Sequence, residues 1–208
     1  MNPSLTHPIV LEGLRVRLEP LTLGHLPALL ELAQLEEYPY ATVPKTEAGM
    51  RRYIEAALDE QSRGLALPFA TVDKTTGLPV GSTRFMAFEY WPWEPGSPHS
   101  RPGCPDAVEI GHTWLAPHAQ RTGINLEAKL LMLQHAFEVF QVRRVTLKTD
   151  ARNLRSRQAI LGLGAVFEGV LRAHRPAADG GVRDSAMYSI LAEEWPAVRA
   201  RLLNRLGR

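Results

Sequence analysis

The chain predicts an α/β (α+β) fold built on a mixed sheet of about seven strands, with helices on both faces and a further helix at the carboxyl end. Three observations lead there. Short runs that are apolar or alternate apolar with polar residues recur at Leu14 to Leu18, Leu67 to Val72, Val80 to Phe88, Ala107 to Leu115, Val145 to Thr149, Val166 to Leu171 and Met187 to Leu191. Stretches with large apolar residues every three or four positions, the period of a half-buried helix, separate several of them. The third observation is the stretch Glu109 to Phe140, in which an apolar segment ends at Pro117, a polar segment containing Gly123 follows, and an amphipathic helix opens at about Asn125.

A length of 208 residues suits one domain, expected to span 1–208 with its core at about 14–192 and a carboxyl-terminal helix at 193–208. Basic residues number 24 and acidic ones 22, a near balance that leaves no polybasic arm and no footprint for nucleic acid. Cys104 is the only cysteine, which rules out an intrachain disulfide and a multi-cysteine zinc site. His112, His118, His135 and His174 lack the spacing of metal ligands on one helix face, so no metal is expected. The start, Met1 to Pro8, has no apolar core of signal-peptide length, and no run approaches the ~18 apolar residues of a membrane span. The expectation is a soluble, cytoplasmic protein.

Taken in order, Leu14 to Leu18 alternates with Arg15 and Arg17 as a half-buried strand does, and Pro20 closes it. Thr22 suits the cap of a helix with Leu23, Leu26, Leu29, Leu30 and Ala33 on its apolar side, Pro27 being tolerated only near the first turn. Tyr38 to Pro44 is an aromatic loop, and Glu47 to Ser62 a second helix presenting Met50, Ile54 and Leu58. The strands at Leu67 and Val80 are joined across Asp73 to Gly77 as a hairpin. Five prolines between Trp91 and Pro105 forbid regular helix or central strand there. So long an irregular segment is often functional, and because it leads into the Glu109 strand it is expected near the active-site end, with Trp91 and Trp93 as substrate walls or as the loop's own anchors.

From Leu126 the large apolar residues fall at Leu126, Leu130, Leu133, Phe137 and Phe140, with Glu127, Gln134, Glu138 and Gln141 opposite. Helix from Asn125 to Phe140 would be a rod of ~24 Å, enough to cross a sheet face. The segment Gln120 to Asn125 sits ahead of its positive end, where first-turn N–H groups lack intrahelical partners and an anionic phosphate is the natural guest. Farther on, Asn153 can cap a helix that runs to Leu163 and stops at Gly164. Val166 to Leu171 and Met187 to Leu191 flank the turn-like Ala177 to Gly181, and Glu193 to Leu206 ends the chain with Trp195, Val198, Leu202 and Leu206 in one stripe.

Gln120-Arg121-Thr122-Gly123-Ile124-Asn125 resembles the Gln/Arg-x-x-Gly-x-Gly/Ala signature of the GCN5-related N-acetyltransferases (GNAT), with Asn125 in place of Gly or Ala. Glu109 to Leu115 is similar to the Glu-Ile-Gly-x-x-Leu strand of the RimJ/RimL branch. Asn153 and Ser156, followed by Leu163 to Arg172, resemble that branch's Asn-x-x-Ser and Leu-Gly-Phe-x-x-Glu-Gly-x-Leu-Arg, with Ala165 where Phe is usual. The ordered motifs cover residues 14 to 192. The resemblance implies a centrally splayed sheet, the strands of Glu109 and Val145 parting so that pantetheine pairs with backbone of Thr113, Trp114 and Leu115. It implies acetyl-CoA as cosubstrate, its pyrophosphate held over Gln120, Arg121, Thr122, Gly123, Ile124, Asn125 and Leu126, and Asn153 on the pantetheine arm.

Acyl transfer requires a neutral amine, and the resemblance makes Glu109 the residue expected to assist deprotonation, with an ion-paired strand edge as the alternative. Leu115 N–H would stabilise the oxyanion. Ser156 would assist the leaving thiolate, there being no tyrosine in its helix; otherwise it is an ordinary helix serine. Tyr38, Tyr40, Trp91, Trp93, Arg172 and His174 are substrate-side candidates. Cationic Arg172, His174 and Arg175 on the closing strand point to an acceptor carrying a carboxylate. The partners expected are thus acetyl-CoA and an amine, either a protein N-terminus or a small molecule, with a homodimer allowed. The competing expectation is a CoA-binding regulatory module that keeps the fold without turnover.

Overall fold

The computed structural model describes residues 7–208, so most of the start read as lacking a leader lies outside the described residues. Among them, eight strands form one sheet in the order β1-β2-β3-β4-β5-β6-β8-β7. The strands are β1 (Leu11–Glu12), β2 (Val16–Pro20), β3 (Ala66–Asp73), β4 (Leu78–Glu89), β5 (Ala107–Leu115), β6 (Arg144–Asp150), β7 (Val166–Pro176) and β8 (Val182–Leu191). The helices are α1 (Leu26–Ala33), α2 (Glu47–Ser62), α3 (Ile124–Gln134), α4 (Leu154–Leu163) and α5 (Trp195–Arg205).

All neighbouring strands run antiparallel except β5 and β6. Those two are parallel and pair only at Ala107 with Arg144, Val108 with Val145 and Glu109 with Thr146. Beyond Glu109 they part, and the rest of both strands faces a gap. The expected splay is present.

Helix α3, with α4 and α5, covers one face of the sheet. Leu130, Leu133, Phe137, Ile160, Leu163, Trp195, Val198 and Leu202 pack there on Val108, Ile110, Val145, Leu147, Tyr188 and Ile190 in one buried cluster. Helices α1 and α2 cover the other face over β3 and β4, burying Leu26, Leu29, Met50 and Ile54 with Ala70, Trp114 and Ala116. That second face stays open over β6 and β8, where Arg144, Thr146, Lys148 and Met187 are only half-buried. Strand alternation explains the division, since Val145 and Leu147 point into the α3 core and their neighbours must point the other way.

Four local differences from the sequence expectation have physical causes. The strand β1 is too short to leave an alternating signature, so the sheet has eight strands rather than about seven. β2 begins at Val16 instead of Leu14 because the buried Glu127 carboxylate of α3 accepts the N–H groups of Leu14, Arg15 and Val16 at 3.0, 2.6 and 2.9 Å. Those amides are turned toward a side chain and away from a partner strand. Thr22 and His25 close a short 3-10 turn in which Thr22 N donates to His25 Nδ1 at 3.0 Å, so the α-helix itself begins at Leu26, with Pro27 in its first turn. The long helix changes to a π turn at His135–Val139. Phe137 and Phe140 still reach the core, and His135 stacks edge-on against Phe140.

Candidate active site

The loop before α3 is shaped by two left-handed residues, Arg121 at φ 62° and Gly123 at φ 91°. Gly123 occupies the cap position of the helix, a conformation L side chains rarely adopt, which explains glycine there. Thr122 Oγ1 donates to the Ala119 carbonyl at 2.8 Å and fixes the turn. Arg15 reaches across from the turn before β2, its Cδ 3.5 Å from where a Gly123 Cβ would be. The first turn of α3 therefore opens beside the Arg15 cation, and Arg121 is exposed on the loop just ahead of it. Asn125 is half-buried on the first turn, while Ile124 is buried and Leu126 packs on the core.

The gap between β5 and β6 leads to this loop. Ala116 N–H donates to the Val80 carbonyl of β4 at 2.8 Å, and alternation along the strand turns the Leu115 peptide groups the other way, toward the gap. The Leu115 carbonyl accepts from Gln120 Nε2 at 3.0 Å, with the Tyr38 hydroxyl at 3.5 Å. Gln120 is held in turn by Glu36 and Arg155. Trp114 is buried against Tyr38, ring centroids 5.7 Å apart, and burial pushes the Tyr38 hydroxyl up to about 12. Tyr38 is thus a donor under its own loop and over the end of β5.

Thr113 faces α3, where Lys129 Nζ donates to its hydroxyl at 2.7 Å and to that of Thr83 at 3.1 Å. Among the described residues no carboxylate pairs with this buried ammonium, and burial brings its pKa down to about 7. The unfolded chain keeps the proton up to ~10.4, so folding becomes more favourable as pH rises from about 7 to about 10, and the full penalty applies below 7. Lys129→Met should therefore raise the melting temperature near pH 7, with a gain that shrinks toward pH 10. Thermal melts of both proteins at the two pH values check this, and a gain independent of pH would show that Lys129 is not the group responsible.

On the open face, Glu109 is buried and its Oε2 accepts from Lys148 Nζ of β6 at 2.6 Å. The two side chains are only 7% and 9% exposed. They line a cavity of about 260 Å³ together with Glu89, Arg144, Thr146, His174 and Met187. His174 is held below the usual imidazole range by burial and then by Lys148, Arg175 and Arg183, with Glu109 opposing. The cavity lies where β5 and β6 begin to separate, on the sheet face opposite α3.

The remaining predicted residues fall in several places. Asn153 Oδ1 caps α4 by accepting from Ser156 N at 3.0 Å, and the Ser156 side chain is half-buried one turn along. Tyr40 stacks under Arg152, whose guanidinium carbon is 5.6 Å from the ring centroid, at the far end of β6. Trp91 and Trp93 are seated elsewhere. The Trp91 amide and Trp93 Nε1 donate to Asp106 at 2.9 and 3.1 Å, and Arg143 lies 5.0 Å over the Trp93 ring. The proline-rich segment is therefore clamped at the paired, closed end of β5 and β6, and neither indole lines the cavity. Arg172 is exposed on β7 and likewise outside the lining. Lys148, Lys129 and Arg183 escaped the sequence reading. For Lys148 the alternation of Thr146 and Lys148 with buried Val145 and Leu147 was an available signal.

The sheet is thus forked at one parallel junction, with a glycine-capped helix start at the mouth of the fork. The chain belongs to the GNAT acetyltransferases: the family model for the acetyltransferase (GNAT) domain matches residues 15–166. A candidate acetyltransferase from T. thermophilus is 38% identical over 96% of this chain and 98% of its own, with a TM-score of 0.77. A GCN5-related N-acetyltransferase from Brucella melitensis is 28% identical over 95% of this chain and 85% of its own, at a TM-score of 0.79. Mycobacterium smegmatis RimJ in complex with CoA-disulfide, 23% identical over 100% of this chain and 98% of its own, shares the fold at a TM-score of 0.77. No curated protein matches.

Proposed function

We propose that this protein transfers the acetyl group of acetyl-CoA to a primary amine by direct attack in a ternary complex. The observation that carries the reading is the fork itself: three residue pairs join β5 to β6, and the opened backbone runs to the Gly123 loop. Pantetheine would pair with Thr113 to Leu115, displacing Gln120 from the Leu115 carbonyl, and the pyrophosphate would lie on the first turn of α3 between Arg15 and Arg121. Asn153 would turn its amide nitrogen, which the helix cap does not use, to the pantetheine arm, and Ser156 would lie near the leaving thiolate. On the other face, Glu109 would take the amine proton directly or through a water, and the attacking nitrogen would come from the cavity. Leu115 N–H would meet the oxyanion as the tetrahedral intermediate forms. The likeness of Glu109 to Leu115 and of Asn153 to Arg172 to the motifs of the RimJ/RimL branch supports a protein N-terminus as one class of acceptor, and a small amine is the other.

The Lys148–Glu109 ion pair favours a second reading, a CoA-binding module without turnover, because it occupies the carboxylate assigned to the amine. One experiment separates the two. Calorimetry with acetyl-CoA, followed by release of free thiol in the presence of a panel of amines, should show binding and turnover. Binding with no turnover on any amine would establish the module, and absence of binding would refute both.

A further inference from the structure

Arg175 of β7 and Arg183 of β8 are register partners, directly opposite each other across the strand pair. Arg183 and Met187 have the same parity on β8, so Arg183 shares the face on which Met187 lines the cavity. Arg175 pairs with it across an irregular stretch of β7 that also brings the adjacent His174 into the cavity wall, and the two arginines lie just outside the lining. Two like charges in this position repel. The other cations nearby are neutralised: Lys148 by Glu109, Arg144 by Glu168, and Arg152 by Asp150 and Asp179. The remaining carboxylate at this end, Asp184, accepts the Ala173 N–H at 2.7 Å. Arg183 is half-buried and donates to Ser185 Oγ at 3.1 Å, and Arg175 is exposed. Asp150 and Glu109 act on Arg183 from a distance, but among the described residues neither arginine forms a direct ion pair with a carboxylate. Their field reaches His174 in the cavity wall, where both help to depress the imidazole.

We propose that Arg175 and Arg183 bind a carboxylate of the acceptor, so that the substrates of this protein are amines carrying an anionic group. This rests on the reading of the Glu109 cavity as the acceptor site. An acceptor carboxylate between the two guanidiniums removes their mutual repulsion and holds the amine end toward Glu109. It also disfavours polyamines and aminoglycosides, whose charges repeat that of the pair.

The test has two arms. In the first, tripeptides with varied N-termini are offered as free acids and as C-terminal amides. The acids should react faster, with kcat/KM higher by about tenfold or more, and Arg183→Gln should bring the acid-to-amide ratio toward one. Equal rates for acids and amides with the native protein would overturn the proposal. The second arm needs no turnover: NMR titration of His174 with and without succinate. Succinate should raise the His174 pKa in the native protein and leave it unmoved in the Arg175→Gln, Arg183→Gln double variant. An unmoved His174 in the native protein overturns the anion site even if no peptide reacts. Calorimetry with acetyl-CoA reports on the acetyltransferase reading separately, so the two failures are distinguishable.

Discussion

Gly123→Pro is expected to weaken acetyl-CoA binding by roughly a hundredfold or more, because proline removes an N–H donor and fixes φ near −65°. Gly123 sits at φ 91° as the cap of α3, so the substitution cannot keep the loop conformation. The affected N–H groups are those proposed to meet the pyrophosphate. Gly123→Ala makes a graded control. It keeps the donor, its Cβ would meet Arg15 Cδ at an ordinary 3.5 Å, and its cost is the left-handed strain of about 1–2 kcal/mol. Its affinity should fall by about tenfold, between native and proline. Calorimetry on all three proteins, with circular dichroism to confirm that each is folded, checks the order. Unchanged affinity in the proline variant would remove the loop from the binding site.

Glu109→Gln should lower turnover by about 10² to 10⁴, the usual contribution of a general base. The loss should be greatest at low pH, since a peptide α-amino group with a pKa of ~7.7 to 8.0 is then mostly protonated and depends on assistance. The same substitution leaves Lys148 in the cavity without its carboxylate, and breaking a buried pair costs about 3–5 kcal/mol. A fall in melting temperature is therefore expected beside the fall in rate. Lys148→Met separates the two effects. It breaks the same ion pair but leaves the carboxylate free to accept a proton, so it should lower stability while retaining more turnover than Glu109→Gln. If Glu109→Gln keeps normal rates across pH while losing stability, the ion pair is structural and the base lies elsewhere.

The parts of the fold that could be read from the sequence are those with strong periodicity. Helix α2 spans Glu47–Ser62 and β5 spans Ala107–Leu115 as expected, and Trp195, Val198, Leu202 and Leu206 are buried as a stripe. The hairpin β7–β8 extends farther than its apolar residues indicated, because β7 is exposed along most of its length and carries no alternation to count. The splay came from the resemblance, since no local pattern reports where two strands stop pairing. Lys148 meets Glu109 across 39 positions, and Lys129 meets Thr83 across 46, so neither contact has a signature in sequence spacing. The proline-rich segment was read correctly as irregular, but its end of the sheet depends on Asp106, whose partners lie on both sides of it in the chain.

The narrow junction of β5 and β6 has a bearing on how long the protein survives in a cell. It divides the sheet into two leaves, one of β1 to β5 and one of β6 to β8, held to each other along their edges by three backbone pairs. A cosubstrate lying in the fork would pair with the edge of β5 that the short junction leaves open, a set of backbone bonds that only the folded form offers. A ligand that binds only the folded form at a hundred times its dissociation constant adds about 2.7 kcal/mol to stability. Degradation that acts through the opened chain would slow accordingly. The abundance of the protein would then rise and fall with the supply of acetyl-CoA, without any change in its synthesis.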